Sequence, residues 1–444
     1  MHQFALQERQ VLNDLAGWMM DRRARPVPVR PARAAALPAL TPSGIGMRDT
    51  WSALRDVLLP TAFPTDHPRY LAFVGGAPTP ASMIADAALS AAAVYGGSEI
   101  EAGDVVAAES EVIRWLCGLV GFSTGSHGAF VSGGSMANLS ALVAARHGWY
   151  ARDGRSASII VAGAAAHASV RSAAAIMGCE VVLAGSPDRP MTGDDVEAAT
   201  AGLDPNDVVA VVATAGATNT GAVDELHEVA DSCALHGVWM HVDAAYGGAA
   251  LLSPSHRGVF AGIYRADSVT IDPHKWLFTP FDCATVIYRD GAIAREAHRQ
   301  RAPYLETVNA PEADNPADYA VHLSRRARGL PVWASLVANG TDAYADAVET
   351  CLMAATYAAK RVESTRYLEM VCEPHLSVVL FRRIGWTRKD YVRWSDEARD
   401  TGVALVVPTT FEGEPVFRLC FVNPLTTAED VDLILDSMEQ PSWS

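Results

Sequence analysis

From residue 66 to residue 289 the chain alternates between short runs that are apolar almost throughout and longer stretches whose apolar positions recur every three or four residues. The runs at 157–162, 208–214, 238–243 and 268–272 are rich in Val, Ile and Ala, the pattern of strands buried on both faces. Ala-rich stretches such as 170–177 and 223–236 separate them at helical spacing. This alternation predicts an α/β fold with a mostly parallel central sheet flanked by helices. In such sheets ligands collect at the carboxyl ends of the strands, so polar residues there are the first functional candidates.

The rest of the chain reads differently. Phe4, Val11, Leu12, Leu15, Trp18 and Met19 recur at helical spacing and predict one amphipathic helix over 1–24. Residues 22–42, rich in Arg, Pro and Ala, read as an extended connector. The apolar helix face needs a covering surface, either its own domain or a second subunit. Residues 301–315 are polar, Pro-punctuated and long for a connection, which makes them a loop, either a lid or a plain surface segment. Beyond Leu330-Pro331 one helical stretch is expected to about Glu363, with strand-like runs at 376–382 and 416–422. The spacing of Thr426 and Glu429 then suits a helix N-cap. The division expected is an N-terminal helical segment (1–65), a large domain (66–330) and a smaller C-terminal α+β domain (331–444).

Composition narrows the function. The 444 residues carry 35 Lys+Arg against 51 Asp+Glu, a formal charge of −16, and half of them are hydrophobic. That apolar content excludes a mainly disordered chain. The negative balance argues against a nucleic-acid partner, which calls for a basic footprint, but leaves open a small phosphate ligand held by backbone N–H groups. No apolar stretch approaches the roughly 18 residues of a membrane span, and the charged N-terminus does not resemble a signal peptide. Seven scattered cysteines without a CxxC pair read as reduced thiols of a cytoplasmic protein rather than a disulfide frame or zinc site.

Two segments at expected strand ends carry most of the chemistry: His241-Val-Asp-Ala-Ala-Tyr-Gly-Gly and Asp272-Pro-His-Lys-Trp. Asp243 is costly to bury there without a cationic partner. Lys275 is expected to have a depressed pKa that makes its amine a nucleophile. By themselves the two would equally make a structural ion pair. Residues 130–142 read as a strand, a Gly-rich turn and a helix, so Gly134, Ser135 and the helix N-terminus offer donors to an anion, although most such turns are only turns. His167 follows the run at 157–162, where a lone His is more often structural than catalytic. Together the four segments suit pyridoxal 5′-phosphate (PLP). That cofactor needs a phosphate cradle (Gly134, Ser135), a lysine for its aldehyde (Lys275), a carboxylate against its ring nitrogen (Asp243) and a flat group over its ring (His167). His241 and Asp243 lack companions at metal-site spacing, so no metal is expected.

These motifs, in this order, resemble the group II PLP-dependent decarboxylases, the family of aromatic-L-amino-acid decarboxylase. The likeness runs from His67-Pro-Arg-Tyr-Leu-Ala-Phe through 132–142, His167, 213–220, 241–246 and 272–277. It continues through Asp318-Tyr-Ala-Val-His-Leu-Ser-Arg-Arg-Ala-Arg-Gly-Leu to Phe417-Arg-Leu-Cys-Phe-Val-Asn-Pro. The resemblance implies the type I fold of PLP-dependent transferases, a homodimer with active sites at the subunit interface, and an N-terminal segment swapped onto the partner. Position by position, it implies that Gly134 and Ser135 bind the phosphate, His167 stacks on the ring and Thr218 lies near the ring substituents. Asp243 would pair with the ring nitrogen, Ala245 pack under the ring, His274 lie near the phosphate, and Lys275 bond covalently to the cofactor. Relatives often carry Asn where this chain has Asp272, whose charge is unfavourable if it reaches the phosphate.

The same resemblance implies loss of CO2 from an L-amino acid and protonation of Cα by a loop tyrosine. Tyr319 resembles that residue, with a shorter spacing to Arg325-Arg326 than in the animal enzymes; otherwise it is a tyrosine that packs where the loop rejoins a helix. A phenylalanine there marks relatives that release an aldehyde by oxidative deamination, so Tyr319 favours the amine. Closure of 301–319 would exclude water. Phe73 and Val74 are the candidate substrate-pocket residues, followed by Gly75-Gly76 where the aromatic enzymes carry bulky residues. An aromatic or bulky apolar substrate is favoured, with aliphatic, acidic or basic amino acids as alternatives. Glu99 and Glu101 either meet a polar or cationic side chain across the dimer or sit on an exposed helix start, where carboxylates suit the dipole. A silent scaffold of the same fold is disfavoured by intact Lys275, Asp243, His167 and Ser135.

Overall fold

A computed structural model of the protein describes residues 6–21, 37–154, 157–310 and 313–439. At its centre is a seven-stranded sheet in the spatial order β1-β7-β6-β5-β4-β2-β3. Its strands are β1 (His127–Val131), β2 (Ile159–Gly163), β3 (Glu180–Ala184), β4 (Val208–Thr214), β5 (Trp239–Asp243), β6 (Ser268–Ile271) and β7 (Ala284–Tyr288). Neighbours from β3 to β6 pair in parallel. β7 runs antiparallel to both β6 and β1, so β1 points the same way as β6. β4 is buried at all seven positions, which explains its wholly apolar sequence. β3, at the edge, is only partly covered and carries a weaker signal.

The second sheet is antiparallel throughout. It contains β8 (Leu368–Met370), β9 (Val378–Arg383), β10 (Pro408–Phe411) and β11 (Glu414–Cys420) in the order β10-β11-β9-β8. Phe381 and Phe417 on this sheet pack with Tyr391, Trp394, Val431 and Ile434 from the helices Arg388–Asp400 and Ala428–Asp436.

Three local expectations change. The single helix expected over 331–363 is two, Leu330–Asn339 and Thr341–Glu363, because Gly340 between them takes φ +78°. Thr427 rather than Thr426 caps the last helix, with Asp430 closing the capping box. The N-terminal helix spans Leu6–Asp21; Phe4 and most of the connector at 22–36 lie outside the described residues. This helix packs on its own chain, where Trp18 meets Trp51 edge-on at 6.3 Å and Arg48 donates to Gln10 at 3.0 Å. Leu6, Leu12 and Met20 remain exposed.

Candidate active site

Lys275 lies one turn beyond the carboxyl end of β6. Asp272 begins that turn and donates its backbone N–H to Ala245 O (3.1 Å), while Lys275 N–H donates to Asp272 O (2.9 Å). Trp276, fully buried and stacked on Tyr246 at 5.4 Å, anchors the next position. Gly76 is needed at the back of this turn, since a Cβ there would meet His274 O at 2.1 Å. Nζ of Lys275 lies 3.0 Å from Asp272 Oδ2. Burial pulls the Lys275 pKa down, but Asp272 and then Asp243 push it up, and it stands above the ordinary lysine value. The expected depression is therefore reversed: the sequence showed a buried lysine but not that a carboxylate three residues earlier would turn onto it.

Asp243 ends β5, the parallel neighbour of β6. It is buried, and its Oδ1 accepts the Ala245 N–H (3.1 Å). Its Oδ2 accepts from Asn138 Nδ2 (2.7 Å), which also reaches Ser169 Oγ (3.0 Å). Asn138 Oδ1 accepts from Thr270 Oγ1 (2.8 Å) and His241 Nε2 (3.0 Å). His241 Nδ1 in turn faces Ser268 Oγ (2.8 Å), which accepts from Trp239 Nε1 (2.9 Å). Donors and acceptors match along the whole chain if His241 is neutral. Burial depresses its pKa to about 4.

The Gly-rich turn follows β1 and opens the helix Gly134–Asp153. Gly134 faces Asp272 and Ala245: a Cβ on it would lie 2.9 Å from Asp272 Oδ2 and 3.4 Å from Ala245 Cβ. No side chain caps this helix N-terminus, and Ser135 is exposed. His167 caps the helix Ala168–Met177, its Nδ1 accepting from Ser169 N–H (3.2 Å) and facing Ser169 Oγ (2.9 Å). His274 Nδ1 accepts from Cys283 N–H (3.0 Å), with Nε2 3.6 Å from Asp272 Oδ2. Thr218 lies exposed in the turn after β4. Gly134, Ala245, Asp272, His274 and Lys275 are thus brought together at one end of the sheet, with Asp243 and His167 joined to each other through Asn138 and Ser169.

Residues 46–384 match the pyridoxal-dependent decarboxylase conserved domain. This chain belongs to that family. It is 33% identical over 390 residues to an aromatic-L-amino-acid decarboxylase of Bacillus atrophaeus, covering 82% of this chain and 79% of the relative. It is 35% identical over 348 residues to an L-2,4-diaminobutyrate decarboxylase of Rhizobium meliloti (strain 1021), covering 74% and 69%. The crystal structure of Oryza sativa TDC with PLP and tryptamine superposes with a TM-score of 0.88 over 99% of both chains; at 24% identity this shows the shared fold. The protein is accordingly a PLP-dependent amino-acid decarboxylase, a carboxy-lyase.

The residues of this decarboxylase fit its cofactor. An uncapped helix N-terminus begins at a glycine whose missing Cβ leaves room against Asp272 and Ala245, a setting suited to a phosphate. The buried Asp272 Oδ1 and two nitrogens of buried Arg418, Nε and Nη2, have no hydrogen-bond partner among the described residues. The third nitrogen of Arg418, Nη1, donates to Phe73 O (2.7 Å); Phe73 takes φ +51° and is 60% exposed. Val74 packs against the core. A hollow of about 480 Å³ among Trp149, Met240, Arg265 and Asp267 lies at the amino ends of β5 and β6, away from Lys275.

Tyr319 is not brought to Lys275. The residue is 5% exposed, its ring stacks on His127 at 4.2 Å, and its hydroxyl donates to Asp314 Oδ1 (2.8 Å). His127 begins β1, whereas the Gly134 turn follows the other end of that strand, about 13 Å along. The tyrosine that the loop does expose is Tyr304, at 76%. The loop exit is pinned by Arg325, which makes two hydrogen bonds to buried Glu109 (2.6 and 2.8 Å). Glu99 and Glu101 are both exposed on the short helix Glu99–Ala102, with Ser98 Oγ donating to Glu101 (2.7 Å). Sequence reasoning missed Asn138 and Ser169. The available signal was a polar residue inside the buried face of the helix after the Gly-rich turn.

Proposed function

We propose that this decarboxylase converts an L-amino acid with an aromatic or bulky apolar side chain to the amine and CO2. The observation carrying the reading is the meeting of Lys275, Asp243 and the Gly134 turn at the carboxyl ends of β6, β5 and β1. Gly134 and Ser135 offer N–H groups to the cofactor phosphate at a helix N-terminus, with His274 beside them. Lys275 supplies the amine that bonds to the cofactor. Asp243, fixed by Asn138 and the Ala245 N–H, is the carboxylate for the ring nitrogen. His167, whose Nδ1 is engaged by Ser169, is the flat group for the ring in this reading, with Ala245 and Thr218 as its companions around the cofactor. Held by these residues, the cofactor would supply an electron sink for the pair released at Cα when CO2 departs.

Protonation of Cα, expected of Tyr319, passes to Tyr304 in this reading, because its phenol is exposed on the loop while that of Tyr319 is committed to Asp314. Loop closure over the site keeps water from Cα. Phe73 and Val74 are assigned to the side-chain pocket in this reading, and their apolar side chains favour an apolar substrate. The functional unit is a homodimer in the cytoplasm, a setting supported by seven unpaired cysteines.

Mass spectrometry of products from PLP-loaded protein in air, with aromatic, aliphatic, acidic and basic L-amino acids, tests the reading. Amine from the aromatic or bulky apolar members is expected. Amine from a diamino acid alone would overturn the substrate class, and aldehyde with ammonia and peroxide would overturn the reaction outcome.

A further inference from the structure

Asp272 is almost wholly buried, and its two oxygens have different surroundings. Oδ2 lies 3.0 Å from Lys275 Nζ and 3.6 Å from His274 Nε2. Oδ1 has no hydrogen-bond partner among the described residues. Both oxygens face the Gly134 turn, lying 2.9 and 3.3 Å from where a Cβ on that glycine would be. The carboxylate is therefore wedged between the anion-binding turn and the reactive lysine. Among the described residues it is the one carboxylate within 4 Å of Nζ.

We propose that Asp272 is a latch on Lys275: in the cofactor-free chain it holds the side chain as an ammonium, so that loss of a proton from Nζ limits how fast the protein captures PLP. The proposal rests on Lys275 being the cofactor's lysine and goes beyond it, giving a role to the carboxylate that lies against that lysine. Capture requires the neutral amine. Nζ gives one proton to solvent, its lone pair forms the bond to the aldehyde carbon, and the aldehyde oxygen leaves as water with the two remaining amine hydrogens. Whatever stabilises the ammonium opposes the first step. The other charged or titratable groups around the pair are His274 and Asp282 from the same segment, Asp243 from β5, Cys283 before β7, and Arg418 and Cys420 on β11. Burial opposes the charge on Lys275, and Asp272 is the largest influence favouring it.

The test uses cofactor-free full-length protein, wild type and Asp272→Asn, mixed separately with PLP and with pyridoxal, which carries the aldehyde without the phosphate. Growth of the absorbance of the lysine-bound form is followed from neutral to alkaline pH. Borohydride reduction and peptide mass spectrometry then locate the bond. The wild-type rate should rise with pH. Asp272→Asn should capture both aldehydes faster at neutral pH, roughly tenfold for each unit by which the Lys275 pKa falls, with the gap closing at alkaline pH. Equal rates at neutral pH would overturn the latch. So would a gain confined to PLP, which would mean that the carboxylate acts on the phosphate charge instead. Should the variant not fold, a wild-type rate independent of pH would sink the proposal and a rising one sustain it. A chain that bonds neither aldehyde at Lys275, with both variants folded, would overturn the assignment of the lysine itself and the latch with it.

Discussion

Asn138 is the residue on which the site's order most depends, because its amide satisfies Asp243, Ser169, Thr270 and His241 at once. Asn138→Leu would leave a buried carboxylate oxygen and a buried imidazole N–H unpartnered. An unfolding free energy lower by about 1–3 kcal/mol for each group so stranded is expected, read by denaturant titration of the cofactor-free protein; an unchanged midpoint would contradict the network. His241 adds a pH dependence of known sign. Its folded pKa, about 4, lies below the ordinary 6.5, so the unfolded chain takes the proton first. Stability from this group is complete above 6.5 and is lost as pH falls toward 4. His298 acts the same way, while Asp224, raised to about 6 by burial, acts in the opposite sense. The His241 share is therefore read as a difference: the stability gap between wild type and His241→Gln should narrow by on the order of 3 kcal/mol over that window. A gap constant with pH would mean His241 is charged in the fold.

At the level of elements, the strands flanking the site were legible because β4, β5 and β6 are covered on both faces, and a short, mostly apolar run between helical stretches fits a sheet interior far better than any exposed segment. The Gly-rich turn was legible for a similar reason, being a strand, a turn and a helix in immediate succession. Other features were set by contacts distant in sequence. Tyr319 could be assigned to the loop, but its burial against His127 depends on residues nearly 200 positions earlier. The Asp272 carboxylate was visible as a departure from relatives, yet its turn toward Lys275 depends on side-chain geometry. The two loop tyrosines therefore make contrasting predictions. Tyr319→Phe removes a hydrogen bond to Asp314 and should cost about 1 kcal/mol of stability while the product remains the amine. Tyr304→Phe should leave the melting temperature unchanged and divert product from amine toward aldehyde. The reverse pattern, read by calorimetry and product mass, would return the proton donor to Tyr319.

On the scale of the whole molecule, the helix Leu6–Asp21 covers only part of its apolar surface on its own chain, leaving Leu6, Leu12 and Met20 exposed. A homodimer using this face should appear in light scattering at twice the chain mass, and Leu12→Glu with Met20→Glu should shift it toward monomer; a monomeric wild type would remove the interface from the account. The role of Lys275 in decarboxylation is read from release of labelled CO2 from carboxyl-labelled L-amino acids by the PLP-loaded protein. Labelled CO2 should appear in equal amount to the decarboxylated product from the preferred substrate, and none should come from Lys275→Ala under the same conditions. Labelled 2-oxo acid in place of CO2, or undiminished release by Lys275→Ala, would contradict it.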